Sequence, residues 1–187
     1  MASELSIAEM RRKSGHQEVL GETLAKFEFF MHGWHPYSRF LDVEKIDLIL
    51  RRRTSSTVEY REVQVKFGKL CPMKAKWERK LFSITSWRFF SETYLDELSR
   101  HAGLFVSYVL AEDDGFKGDL FNFRVKHFVD CIRRSHRARK ENYKVLISRS
   151  HDASPRWYMW SGERFDDIHQ AAVIDVTDSY RNFSVLD

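Results

Sequence analysis

Between Gly15 and His32, apolar residues Leu20, Leu24, Phe27 and Met31 recur at i, i+4, i+7 and i+11. That spacing predicts a helix with one apolar stripe, and Gly33 is placed to end it. The period then changes to two. Ile46, Leu48 and Leu50 alternate in Lys45–Arg53, and Arg61, Val63, Val65 and Phe67 share one face of Thr57–Phe67. Two such runs joined through Thr54-Ser55-Ser56-Thr57 predict an antiparallel hairpin. The stretch from Met73 to Arg100 is expected to be helical, in one piece or two, with Trp77, Leu81, Ile84, Phe89 and Leu95 in the core. Leu104–Ala111 is a short apolar run and predicts a buried strand. Phe121–Val125, Tyr143–Ser148 and Trp157–Trp160 are further expected strands, and Lys126–Arg139 is expected to be a helix with Phe128, Val129 and Ile132 inward.

The hairpin register brings chemistry into the pattern. If Thr54 pairs with Thr57 across a two-residue turn, Asp47 lies opposite Gln64, and opposed residues project from the same face. Period two adds Tyr60, Glu62 and Lys66 to that face. Ile46, Leu48, Leu50, Val63 and Val65 form the other, which is core. Hard cations such as Mg²⁺ take oxygen ligands, often one or two carboxylates with water and phosphate completing the shell. Asp47, with Glu62 or the Gln64 amide oxygen, could supply them. A lysine beside such an ion can orient a water or stabilise charge on a phosphoryl transition state. Read without further context, the same alternation describes a strand with one solvated face.

The ordered set Gly21-Glu22, Gly33-Trp34, Ile46-Asp47-Leu48-Ile49 and Gln64-Val65-Lys66 resembles the PD-(D/E)XK, or restriction-endonuclease-like, nuclease superfamily. It is most similar to the small Holliday-junction-resolvase-like members. The resemblance covers roughly the first third of the chain. It implies an α/β fold with a central mixed sheet of about five strands flanked by helices. It also implies metal-dependent hydrolysis of DNA phosphodiesters, in repair, recombination or restriction. Asp47 would be the principal ligand of Mg²⁺ or Mn²⁺, with Glu22 and Gln64 or Glu62 completing the shell and Lys66 assisting the water. A homodimer is implied as well, because cutting two strands needs two sites. The sequence departs from the family pattern in two places. Ile46 stands where the proline would be, and Gln64 replaces the second acid, so this Q-x-K variant brings no charge at that position. An inactive nucleic-acid-binding or scaffolding protein on the same fold is the alternative, and a small protein-interaction domain is a third.

Charge sharpens where a phosphate backbone would lie. The 187 residues carry a net charge of +4, but residues 152–187 hold three basic residues against seven acids, so the positive excess belongs to the rest. Lys66, Lys69, Lys74, Lys76, Arg79 and Lys80 face one acid, Glu78; Arg51, Arg52 and Arg53 sit at the hairpin turn. Such density neutralises phosphates without reading sequence. A second basic cluster spans Arg133–Lys144. Trp77 and Trp87 could stack on unpaired bases, though core packing is the expected role for both.

Composition closes off other classes. Hydrophobic residues make up 43% and aromatics 14%, enough for a buried core. One domain over 15–187 is expected, behind a flexible tail at 1–14. No run approaches the roughly 20 apolar residues of a membrane span, and the N-terminus has no signal-peptide core. Cys71 and Cys131 form no disulfide framework and carry no nucleophile signature. An intracellular, cytoplasmic setting is the simplest expectation. His16, His32 and His35 lack a matched ligand set, so no histidine metal site is expected.

Overall fold

The computed structural model describes residues 14–38, 45–111, 118–165, 167–170 and 172–187. Most of the 1–14 segment, expected to be a tail, therefore lies outside the described residues. The first helix, α1 (Ser14–Met31), ends where Gly33 takes a left-handed φ of 81°. Gly33 N donates to Phe30 O and Trp34 N to Phe29 O, the two bonds of a Schellman stop. Strands β1 (His35–Ser38), β2 (Leu48–Arg53) and β3 (Val58–Lys69) follow. The β2–β3 hairpin has the register expected from its turn: Arg53 opposes Val58 and Leu48 opposes Val63. Thr54 holds the turn, its N and Oγ1 both bonding to Thr57 O.

The buried side of α1 differs from the expected stripe. Leu24 is buried, but Phe27 is 60% and Met31 64% exposed, and the inward face runs through Gly21, Leu24, Ala25 and Phe29. The helix has apolar residues on two sides, and its small residues decide between them. A Cβ on Gly21 would sit 3.0 Å from the Phe67 Cβ, so glycine lets the helix backbone lie directly on β3.

Residues 73–100 hold the largest departure. A single helical turn, α2 (Glu78–Leu81), gives way to a ten-residue strand, β5 (Phe82–Ser91), and only then to α3 (Glu92–Ser99). The β-branched and aromatic content of Ser83–Phe90 favours a strand. Its alternation is inverted, with Ser86 and Arg88 turned inward and Trp87 and Phe89 outward, which conceals the buried face.

Two five-stranded sheets result, where one was expected. The first has the order β1-β2-β3-β6-β7, with β6 (Leu104–Ala111) and β7 (Gly118–Arg124). It is mixed: β3 and β6 are parallel and every other neighbour antiparallel. This is the mixed α/β sheet the resemblance implied. The second has the order β10-β9-β8-β5-β4 and is antiparallel throughout. It comprises β4 (Cys71–Pro72), β5, β8 (Asn142–Ser150), β9 (Trp157–Trp160) and β10 (Ile174–Asp175). Helix α4 (Val125–Arg134), shorter than the 126–139 expectation, packs with α3 between the sheets.

Helix α1 covers one face of the mixed sheet, over Leu48, Leu50, Val63, Val65 and Phe67. The other face joins α3, α4 and the second sheet in a core built on Val106, Tyr108, Phe123, Phe128, Tyr143 and Met159. Strand β6 is buried along its whole length because it has a layer on each side. Close to the crossing of β3 and β5, a Cβ on Gly68 would approach Ser86 Oγ to 2.3 Å and Leu110 and Tyr108 to 2.9 Å. The acidic segment 152–187 is part of the fold. It contributes β9 and β10 and buries Leu186 under α1. Asp175 pairs with Arg156, and Tyr180 donates to Asp119 at 2.9 Å.

Candidate active site

Asp47 sits just before β2, where its backbone still joins the ladder: its N donates to Val63 O at 3.0 Å. Its Oδ2 accepts from Val65 N at 2.6 Å, so the carboxylate itself takes a rung of the hairpin. Two bonds from one residue fix the acid against β3. Gln64 and Lys66 follow on the same face as Asp47, Gln64 buried and Lys66 half-buried. Opposite stands α1, seated closely through Gly21, which brings Glu22 to the rim. Glu22 pairs with Lys26 one helical turn on, at 3.6 Å.

These residues line one cleft of about 330 Å³ with Glu18, Lys45, Ile46, Val65, Phe67, Arg88 and Tyr94. Glu22, Asp47, Gln64 and Lys66 thus line one cleft from a helix, the residue before β2 and strand β3. Glu62 is not among them. It is exposed, one period-two step up the hairpin from Gln64.

Three lining residues went unread in the sequence. Arg88 comes from β5 and donates from Nη1 to Phe67 O at 2.9 Å, tying the second sheet to the wall of the cleft. Tyr94 lies in the first turn of α3, where Ser91 Oγ caps the helix by accepting from Tyr94 N. Its hydroxyl donates to Gln64 Oε1, which orients the amide. Lys45 and Lys66 flank the Tyr94 ring, with Nζ 5.0 Å and 5.3 Å from its centroid. Burial, opposed by the nearby Arg88 cation, raises the Tyr94 phenol well above its ordinary pKa, so it is a neutral donor at physiological pH. Lys45 reaches this position with a φ of 58°, an unusual conformation for a lysine, and it also pairs with Glu97. No sequence signal marks Tyr94.

Three carboxylates and three cations share the cleft, so its charge is balanced by position. Among the described residues no three His, Cys, Asp or Glu side chains cluster as a metal site. The lining offers carboxylate and amide oxygens, among them Glu22, Asp47 and Gln64, and no thiol or imidazole. Hard oxygen donors of this kind suit Mg²⁺ or Mn²⁺ with water completing the shell.

The expected phosphate-binding cations lie outside the lining of the cleft. Lys69 ends β3, Lys74 and Lys76 lie in the segment before α2, and Arg79 and Lys80 are on α2. Arg51 is half-buried and shares the Asp47 face. Arg52 is on the opposite face and already engaged. It donates to Glu59 and to Asp187, both at 2.7 Å, and lies 4.2 Å over Trp34. Those carboxylates hold its guanidinium above the ordinary arginine range. Trp77 is half-buried against Trp160 and Phe165, as expected of a core residue, whereas Trp87 is 54% exposed. No helix among the described residues is long and apolar enough to cross a membrane.

No family model matches the chain, and no curated protein does. Among solved structures, the chain is similar to Hjc, a Holliday junction resolvase from the hyperthermophilic archaeon Archaeoglobus fulgidus. The match is 15% identical, covers 64% of this chain and 82% of that one, and has a TM-score of 0.34.

Proposed function

We propose that this chain is a metal-dependent endonuclease acting on DNA. The observation that carries the reading is the meeting of Glu22, Asp47, Gln64 and Lys66 in one cleft. In this reading Asp47, Glu22 and the Gln64 oxygen hold Mg²⁺ or Mn²⁺, which when bound polarises a phosphoryl oxygen and acidifies its water. The Lys66 ammonium orients the attacking water and offsets negative charge on the phosphoryl oxygens. Tyr94 keeps the Gln64 oxygen turned to one direction. Arg88 and Lys45 add positive charge where a phosphate backbone would enter, and Arg51, Lys69, Lys74, Lys76, Arg79 and Lys80 extend it outward. Cutting both strands of a duplex would call for a homodimer.

One feature favours the non-catalytic alternative, a DNA-binding protein on the same fold. Gln64 supplies no charge, and its oxygen already accepts from Tyr94. Cleavage of branched, single-stranded and duplex DNA, assayed with Mn²⁺, separates the two readings. The nuclease reading expects cleavage that is lost in Asp47→Ala. Salt-sensitive DNA binding that survives Asp47→Ala and Lys66→Ala, with no cleavage of any substrate, would establish the alternative.

A further inference from the structure

Strand β5 presents two different surfaces. Arg88 points inward to the cleft, while its neighbours Trp87 and Phe89 point outward, 54% and 56% exposed. Their rings meet edge to face, with centroids 5.7 Å apart and planes at 78°. Trp34, Trp157 and Trp160 are buried and Trp77 is packed into the aromatic cluster of the second sheet, so Trp87 is the tryptophan held in water. Two large aromatic rings side by side on a sheet face have lost their hydrophobic stabilisation unless something covers them.

The cations beside them indicate what that is. In the β5–β8 register Phe89 lies opposite Lys144 and Trp87 opposite Leu146, and opposed residues share a face. Lys144 is exposed. The loop that feeds β8 carries Arg137 and Lys140, both exposed, and Arg139, which pairs with Glu92 at 2.6 Å, at the end of the strand pair where Ser91 meets Asn142. The same stretch holds one acid, Glu141. This is the second basic cluster of the sequence, and the cleft does not use it. Stacking rings bordered by a run of cations is the composition that binds unpaired nucleic-acid strands, with rings taking the bases and cations the phosphates.

We propose that Trp87 and Phe89 stack on unpaired bases of a nucleic-acid strand whose phosphates lie along Lys144, Lys140 and Arg137. The inference rests on the nuclease reading of the cleft in one respect. It makes the substrate one with a single-stranded portion, running from the rim at Arg88 onto the outer face of β5.

Trp87 fluorescence tests this without any cleavage. A short oligothymidylate, titrated in EDTA, is expected to quench the tryptophan emission with a salt-dependent affinity. Trp87→Ala and Phe89→Ala should each weaken binding about tenfold, and Lys144→Ala should lower the salt slope. Trp87→Phe should keep the affinity, measured by anisotropy of a labelled oligonucleotide, while losing the quenching. Circular dichroism shows that each variant is folded. Equal affinity in folded Trp87→Ala and wild type would overturn the proposal. So would sedimentation showing that the aromatic face is buried between two copies, with Trp87→Ala monomeric and its DNA affinity unchanged. Because no metal is present, a negative result here leaves the cleavage assay to decide the cleft separately.

Discussion

Asp47 does two jobs at once, and they can be separated. Its carboxylate accepts from Val65 N, so Asp47→Ala leaves a hairpin amide without its partner. The expected cost is about 1–3 kcal/mol, read as a lower urea midpoint. Lys66→Ala leaves the Asp47–Val65 rung in place and should lower that midpoint less, while abolishing cleavage as Asp47→Ala does. Gln64 is the second informative position. Gln64→Glu puts a charged oxygen donor in place of the amide, so calorimetry should find tighter Mn²⁺ binding than in the wild type. Unchanged Mn²⁺ affinity in Gln64→Glu would remove position 64 from the ligand set. At this scale the placing of Asp47, Gln64 and Lys66 in one cleft was legible, because it follows from a turn and a period of two. The sequence did not show Tyr94 or Arg88, because neither lies in the hairpin and their contacts arise only when α3 and β5 fold back over it.

At the scale of elements, close backbone approach matters most at Gly68. A methyl group there would collide with Ser86, Leu110 and Tyr108 in the region where the two sheets cross. Gly68→Ala should therefore destabilise by about 1–3 kcal/mol, seen as a drop in Tm with the fold retained. The helix α1 and strand β5 explain why part of the fold was hidden. Phe27 and Met31 satisfied the helical period as well as the buried residues did, and only Gly21 and Ala25, small enough for contact with β3, choose the inward face. In β5 the inward side mixes Ser86 and Arg88 with Ile84 and Phe90 while Trp87 and Phe89 face out, so no apolar alternation marked the strand. The hairpin and β6 were legible because their apolar residues coincide with their buried ones.

For the molecule as a whole, the two sheets share one core, and a buried and a half-buried tyrosine in it give stability a pH dependence. Burial pushes Tyr108 up to about 12, and burial with an Asp119 partner does the same for Tyr180. In the unfolded chain both ionise near 10. Their contribution is complete below about pH 10 and is lost as pH rises towards 12, because the unfolded state releases its protons first. Urea unfolding at rising pH should show stability falling above pH 10, with a shallower fall in Tyr180→Phe. Charge is distributed to match the proposed path of DNA. The acidic segment 152–187 is folded into the second sheet and under α1, with Asp175 and Asp187 paired to Arg156 and Arg52. The basic residues after β3 and before β8 remain at the surface, so DNA binding should weaken steeply with added salt.

The central claim is that the cleft between α1 and the β2–β3 hairpin hydrolyses phosphodiesters. Its most direct test is the initial rate of Mn²⁺-dependent cleavage of a branched DNA carrying single-stranded arms, compared between wild type and folded Lys66→Ala. Cleavage by the wild type is expected to stop in EDTA and to fall at least about a hundredfold in Lys66→Ala, the lower end for removing one positioned charge-stabilising donor. Equal rates in the two proteins, or no cleavage by a wild type that binds the same DNA, would contradict it.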